Sequence, residues 1–365
     1  MRFCFAHDQG MEARNVLCYR SGGAKRFQWC RRERGPVWRR LGFVDRMAVL
    51  TSGGDAPGMN AAIRAVVRVG TALGVEVVGV SMGYAGLLTG QMRVLDARTV
   101  GGILQHGGTI LGTARSPEFE SEEGRRKALE NLVTRGVEGL IVIGGDGSLR
   151  GAHELHKLGF PVVGVPATID NDIPGTQIAI GVDTALNTAI EAIDRIKDTA
   201  SSHHRAFIVE VMGRHCGYLA LMAGMAAGAE MVLLPEVETR VEAVVDELTR
   251  AYARGKLHFI VIAAEGSALK AHYLRDYLSE LEDGAFEARL TVLGHVLRGG
   301  SPTAFDRILA TRLGAAAVEE LRQGNSDRLV TYGGSKSNSV DIMKALGDRC
   351  GVDMPLYRLA NMLAR

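Results

Sequence analysis

Short runs of aliphatic and β-branched residues recur along this chain, separated by longer stretches with helical spacing. That alternation, more than any other feature, limits the folds open to it. The runs are Ala48–Thr51, Val75–Ser81, Gly139–Ile143, Pro161–Val165, Ala206–Val211, Met231–Leu234, Leu257–Ala264 and Leu290–Leu293. Helical patterns cover Met59–Leu73, Glu122–Thr134, Leu149–Leu158, Val182–Thr199, Val241–Ala253 and Thr303–Leu321. A strand that is apolar throughout, rather than at alternate positions, is buried on both faces. Strand and helix in turn build right-handed βαβ units around a parallel sheet. The expected class is therefore α/β. About 320 residues of this pattern exceed a single core, so two α/β lobes with a cleft between them are expected. No Pro- or Gly-rich linker separates the lobes, which implies that the chain crosses between them more than once.

The first 46 residues break the pattern. They carry 11 Lys and Arg against four Asp and Glu, so a chain of net charge +2 is acidic from residue 47 onward. Both tryptophans (Trp29, Trp38) and Cys4, Cys18 and Cys30 lie here, with no apolar periodicity. A basic leader outside the fold, ahead of a start at Met47, is the expectation. The remaining cysteines, Cys216 and Cys350, make no disulfide framework, and a reducing cytoplasm suits them. The longest apolar stretch, Leu219–Ala229, ends at Glu230 and is too short for the ~18 residues of a membrane span. Neither a membrane nor a nucleic-acid partner is expected.

Ligands of open α/β sheets bind outside the carboxyl ends of strands, and there the chain concentrates unusual residues. Thr51–Asn60, reading TSGGDAPGMN, joins the first strand to the first helix, and its paired glycines and free helix N–H groups suit a phosphate. Ile143–Ser148, IGGDGS, repeats the design with a carboxylate among the glycines, which suits Mg²⁺ bridging a nucleotide; Asp146 as a plain helix cap is the other reading. Pro166–Gly175 holds Asp170 and Asp172, which repel unless a cation or a hydroxyl justifies them; paired Asx turns are the alternative. Glu210–Arg214 delivers an Arg beside a Gly, and Arg289 with His295–Ser301 brings two Arg and a His to another strand end. Guanidinium forks match phosphate oxygens bidentately, so a phosphorylated substrate explains Arg205, Arg214, Arg289 and Arg298 together.

In order and spacing these five stretches resemble the bacterial 6-phosphofructokinase family, over essentially all of Met47–Arg365. The resemblance implies two Rossmann-like lobes with parallel-rich sheets flanked by helices and the active site in the cleft. Residues 47–181 and 297–347 would bind nucleotide, and 182–296 with 348–365 the sugar phosphate. It implies transfer of the γ-phosphoryl of MgATP to the 1-hydroxyl of fructose 6-phosphate in glycolysis. Gly54, Arg115, Ser116, Gly145, Asp146, Gly147 and Ser148 would surround ATP, with Asp146 on Mg²⁺. Thr168, Ile169 and Asp170 would face the sugar, with Asp170 the proton acceptor and Arg214 a charge stabiliser. Arg205, Met212, Gly213, Arg214, Glu265, Arg289, His295, Val296, Leu297 and Arg298 would bind the sugar phosphate. Arg205 and Arg289 would reach in from a neighbouring subunit of a homo-oligomer, normally a tetramer. Arg64, Arg68, Lys197, Glu230, Arg254, Lys256 and His258 match the family's site for a nucleotide or phosphoenolpyruvate-like effector; a solvated basic face on the first helix is the plainer reading of Arg64 and Arg68. Two positions depart from the family: Leu297 replaces a usual Gln, leaving its backbone to serve, and Ala97 stands where Arg is common.

Three other readings share parts of this chemistry. Pyrophosphate-dependent relatives carry Asp and Lys where this chain has Gly147 and Ala167. NAD or lipid kinases share the GGDG turn but lack the Asp170/Asp172 turn and the Arg298 stretch. A non-catalytic sugar-phosphate sensor would have lost Asp146 or Asp170, and both are present.

Overall fold

The computed structural model describes residues 44–203, 205–256, 258–281, 287–334, 337–347 and 351–364. Most of the expected leader, the first residue of the Leu257–Ala264 run and Cys350 lie outside the described residues. The strands are β1 (Arg46–Ser52), β2 (Glu76–Val80), β3 (Met92–Leu95), β4 (Gly139–Gly144), β5 (Val162–Pro166), β6 (Ala206–Val211), β7 (Met231–Leu233), β8 (Phe259–Ala264), β9 (Ala288–Val292), β10 (Arg328–Tyr332) and β11 (Ser337–Asp341). The helices are α1 (Met59–Ala72), α2 (Gly83–Thr89), α3 (Glu122–Thr134), α4 (Asp146–Lys157), α5 (Val182–His203), α6 (Tyr218–Ala227), α7 (Val241–Ala253), α8 (Ala271–Glu280), α9 (Ala304–Arg322), α10 (Ile342–Gly347) and α11 (Met354–Leu363).

The strands form two sheets. A seven-stranded sheet runs β11-β10-β5-β4-β1-β2-β3, and a four-stranded sheet runs β7-β8-β6-β9. All pairings are parallel except β2–β3 and β10–β11, which close the two edges of the larger sheet. The class is α/β. Alternate residues of the apolar runs serve different cores. Val49, Ile141, Val209 and Ile262 belong to one cluster that joins both sheets through α1, α5, α6 and α9. Leu50, Leu140 and Val142 face the opposite way, against Leu149 and Leu155 of α4 and Leu132 of α3. Ile208, Phe259 and Val261 pack on Leu248 of α7 and Leu274 of α8. Both faces are covered, which is why these strands carry no polar alternation.

Several elements carry no periodic signal in the sequence. Helix α6 buries Leu219, Ala220, Leu221, Ala223, Gly224 and Ala227 on several sides, so its apolar stretch shows no helical stripe. Among the described residues no helix is long and apolar enough to cross a membrane.

Candidate active site

Three loops leave neighbouring strands of the larger sheet at the same level. Ser52 pairs with Gly144, and Gly144 with Pro166, so the segments after β1, β4 and β5 emerge side by side at the carboxyl edge. Together with the segment 114–120 ahead of α3 they line a pocket of about 640 Å³ whose walls include Gly54, Arg115, Ser116, Gly145–Ser148, Thr168–Asp170 and Asp172. Glycine is required where the loops touch. A Cβ on Gly144 would sit 2.5 Å from the Ser52 carbonyl oxygen, and Gly53 adopts φ +84°. At Gly147 a Cβ would meet nothing within 4 Å, so that position is open towards the pocket.

The turn after β5 is held from both sides. Thr168 N donates to Ile180 O at 3.1 Å, Ile180 N donates to Pro166 O at 3.1 Å, and Ala167 N donates to Gly144 O at 3.0 Å. Asn171 takes a left-handed φ of 50°; its Oδ1 accepts from Ala179 N at 2.9 Å and its Nδ2 donates to Gln177 O at 3.2 Å. Beyond Ile180, the fully buried Asp306 accepts from Gly181 N, Thr184 N and Thr184 Oγ1 at 2.9, 2.8 and 2.5 Å. Asp306 thus locks the start of α5 to the first turn of α9 and, through Ile180, braces the turn carrying Asp170.

Asp170 sits in a poor place for a charge. Burial, helped by the nearby Asp172 carboxylate, pushes its pKa up to about 6, against the opposing pull of Arg298 and Arg214. Burial also raises Asp172, with Asp146 adding to the effect. Asp170 Oδ1, Asp172 Oδ1 and Arg298 Nε are buried without a hydrogen-bond partner. Such groups mark a site whose missing partner is a ligand.

The smaller sheet contributes from its own carboxyl ends. Val211 pairs with Ala264 and Glu210 with Val292, so Met212–Arg214, Glu265 and His295–Arg298 leave adjacent strands. Arg214 Nε donates to Glu265 Oε1 at 3.2 Å. Arg298 reaches across to the larger sheet, where a Cβ on Gly54 would lie 2.5 Å from its Nη1. Leu297 is fully buried in the core and offers no side chain to a ligand, while His295 and Val296 are exposed.

Two arginines stand apart from this group. Arg205 precedes β6, Arg289 lies opposite Phe207 near the amino end of β9, and both arginines form ion pairs with Glu287. They are at strand ends, but at the opposite ends from Arg214, about 17 Å or more along β6 at ~3.3 Å per residue. The expected convergence of Arg289 with His295–Ser301 on one strand end is not what the register gives: Arg289 lies near the amino end of β9, and that stretch follows its carboxyl end. The effector set divides as well. Glu230 is buried, accepts from Ile260 N at 2.7 Å and pairs with Lys256 at 2.9 Å. Lys197 donates to Ala227 O, His258 meets Ser201 Oγ at 2.9 Å, and Arg254 pairs with Glu247 at 3.0 Å. Arg64 and Arg68 are on α1, where Arg68 donates to Ala97 O at 3.2 Å.

The model of the family described as Phosphofructokinase matches residues 46–321. The chain belongs to the phosphofructokinase family. It is 53% identical over 322 residues to the ATP-dependent 6-phosphofructokinase of Thermotoga neapolitana, covering 88% of this chain and 100% of that one. It is 52% identical over 324 residues to the enzyme of that name from Bacillus pumilus, with 88% and 100% covered. Among solved structures, phosphofructokinase from Saccharomyces cerevisiae superposes with a TM-score of 0.78 at 39% identity, over 83% of this chain and 45% of that longer one.

Within this phosphofructokinase fold, sequence reasoning overlooked several pocket residues, among them Tyr84, Phe119, Arg125, Arg150 and Glu154. Tyr84 stacks on Phe119 with ring centroids 4.0 Å apart and donates to Ser148 O at 2.6 Å. Tyr84 and Phe119 come from segments distant in sequence, so no local pattern marks them. Arg150 and Glu154 follow Asp146 by one and two helical turns, and that spacing was a usable signal.

Proposed function

We propose that the chain transfers the γ-phosphoryl group of ATP to the 1-hydroxyl of fructose 6-phosphate, giving fructose 1,6-bisphosphate and ADP in glycolysis. The observation that carries this reading is the meeting of the IGGDGS loop and the Asp170 turn in one pocket, within a chain more than half identical to ATP-dependent enzymes. Gly54, Arg115, Ser116 and Gly145–Ser148 cradle the nucleotide, while Arg214, Glu265 and His295–Arg298 hold the sugar phosphate. A divalent cation fits here. The Asp146, Asp170 and Asp172 carboxylates crowd one side of the pocket, two of their buried oxygens lack partners, and among the described residues no three-ligand cage exists. Mg²⁺ held by one carboxylate and the phosphates suits such a site. When bound, it supplies positive charge to the migrating phosphoryl group.

Asp170 orients the hydroxyl and takes its proton late in a loose transition state. A carboxylate with a pKa near 6 is a better acceptor than a free one, yet is mostly ionised at pH 7. Thr168 Oγ1 accepts from Asp170 N at 3.2 Å and shapes the turn. Arg115 and Arg214 bring charge to the reacting phosphoryl, and rigid positioning provides most of the rate. Residues 47–181 with 297–347 act as the nucleotide lobe, and 182–296 with 348–365 as the sugar-phosphate lobe. Arg205 and Arg289 complete a neighbour's site in a tetramer, which accounts for their distance from Arg214 within one chain. The effector residues likewise join across subunits to bind a nucleotide or phosphoenolpyruvate-like anion, in a cytoplasmic enzyme.

ATP is the donor because Gly147 leaves space for the α-phosphate and Ala167 adds no cation for pyrophosphate. The test is initial rate with fructose 6-phosphate and either MgATP or pyrophosphate at equal subsaturating concentration. ATP should win by orders of magnitude in kcat/KM, and Gly147→Asp should abolish that lead without loss of folding. Faster turnover from pyrophosphate in the wild-type enzyme would overturn the reading.

A further inference from the structure

Arg150 lies one turn beyond Asp146 on α4, in the pocket wall. Its Nε donates to Asp146 Oδ2 at 2.9 Å, and its Nη2 donates to the backbone oxygen of Leu346 at 3.1 Å. Leu346 belongs to α10, 196 residues away in sequence. The guanidinium is therefore fixed at two points, one of them outside its own helix. An ordinary i,i+4 pair on an exposed helix is weak and positions nothing. This pair differs because its acid is the carboxylate at the head of α4 that faces the phosphate loop. Carboxylates that bind metals need a hydrogen-bonded partner to fix their orientation. A planar fork is the group that can hold a carboxylate and a carbonyl at once.

We propose that Arg150 is a positioning residue for the metal–nucleotide site. It clamps one oxygen of Asp146 against α10, and the second oxygen serves the cation of the metal–nucleotide. The proposal rests on the reading that Asp146 serves that cation, and the experiment separates the two.

The probe is Mn²⁺ with ADP and no sugar, the free Mn²⁺ being read by its electron paramagnetic resonance signal over the full-length protein. Arg150→Met should weaken Mn²⁺–ADP binding about 10–100-fold, the usual effect of losing such a partner. Arg150→Lys should restore little of it, since one ammonium cannot span both acceptors. KM for MgATP should rise while KM for fructose 6-phosphate stays put. In an Asp146→Asn background the Arg150→Met loss should vanish, because the two residues act as one unit. Wild-type affinity in Arg150→Met overturns the proposal, and tighter binding does so too, by showing that the arginine competes with the cation. Full additivity of the two losses would mean that Arg150 contacts the nucleotide directly, which also refutes a positioning role. If Asp146→Asn alone leaves Mn²⁺ affinity unchanged, it is the assignment of Asp146 that fails, and this inference falls with it.

Discussion

Replacing Asp170 by Asn should make the protein more stable at neutral pH while nearly abolishing its turnover. Burial and Asp172 raise the Asp170 pKa from 3.8 to about 6, so the folded state holds this proton more tightly than the unfolded one. Between those values the unfolded chain binds fewer protons, and stability therefore falls as pH rises through roughly 4 to 6. Two pKa units correspond to about 3 kcal/mol, and partial contact with solvent reduces this to about 1–3 kcal/mol. Asparagine keeps the shape and removes the charge. At pH 8 Asp170→Asn should melt roughly 2–4 °C above wild type, whereas at pH 4 the two curves should converge. Its kcat should fall by about 10²–10⁴ with fructose 6-phosphate binding retained, as expected for a lost proton acceptor. In the wild type, kcat should decline below about pH 6 as the carboxylate takes up its proton. Paired thermal melts at the two pH values, with calorimetric binding of the sugar phosphate, check both halves. An Asn variant no more stable than wild type at pH 8, or a stability gap independent of pH, would refute the claim that this carboxylate is held against its preference.

Two other outcomes follow, one from the packing around Asp306 and one from the shared-site reading. Asp306→Ala strands Gly181 N and Thr184 N in a buried site, and should cost about 2–4 kcal/mol, seen as a melting point lowered by several degrees; an unchanged melting point would remove Asp306 as the brace of the Asp170 turn. Inactive Arg205→Ser and Asp170→Asn subunits, dissociated and reassembled together, should regain part of the activity, since some interfaces then carry an intact site. Verified hybrids without activity would rule out shared sites.

The parts of the site legible in the sequence are those where backbone conformation dictates residue type. Gly53, with its positive φ, and Gly144, against the Ser52 carbonyl, had to be glycine for the loops to approach one another, and the Asp170–Asp172 repulsion demanded a partner. What stayed hidden depends on register and long-range packing. Nothing local to Arg205 or Arg289 says that each lies at the amino end of its strand, and only the pairing of β6 with β9 places them away from Arg214. Asp306 was masked by its helix start: Thr303-x-x-Asp306 reads as a cap, and Thr303 does accept from Asp306 N at 3.3 Å, but the carboxylate serves another helix. The edge strands β3 and β11 are short and largely exposed, with the sequences MRVL and SNSVD, so neither gives a clear core signal. Helix α8, by contrast, shows Ala271, Leu274 and Leu278 at helical spacing and could have been found.

The order of strands in the larger sheet also sets a timetable for synthesis. Strand β5 pairs with β10 on its outer side, and every residue of the smaller sheet lies between them in the sequence. As the chain leaves the ribosome at about 5–20 residues per second, β10 follows β5 by roughly 10–30 s. For that interval the apolar strand Val162–Pro166 is an open edge with unpaired amides. The smaller sheet is complete before β10 emerges, so the nascent chain carries one finished sheet and one unfinished edge. Chaperone demand should therefore peak when ribosomes occupy the last third of the message, and truncations between residues 300 and 327 should aggregate rather than fold.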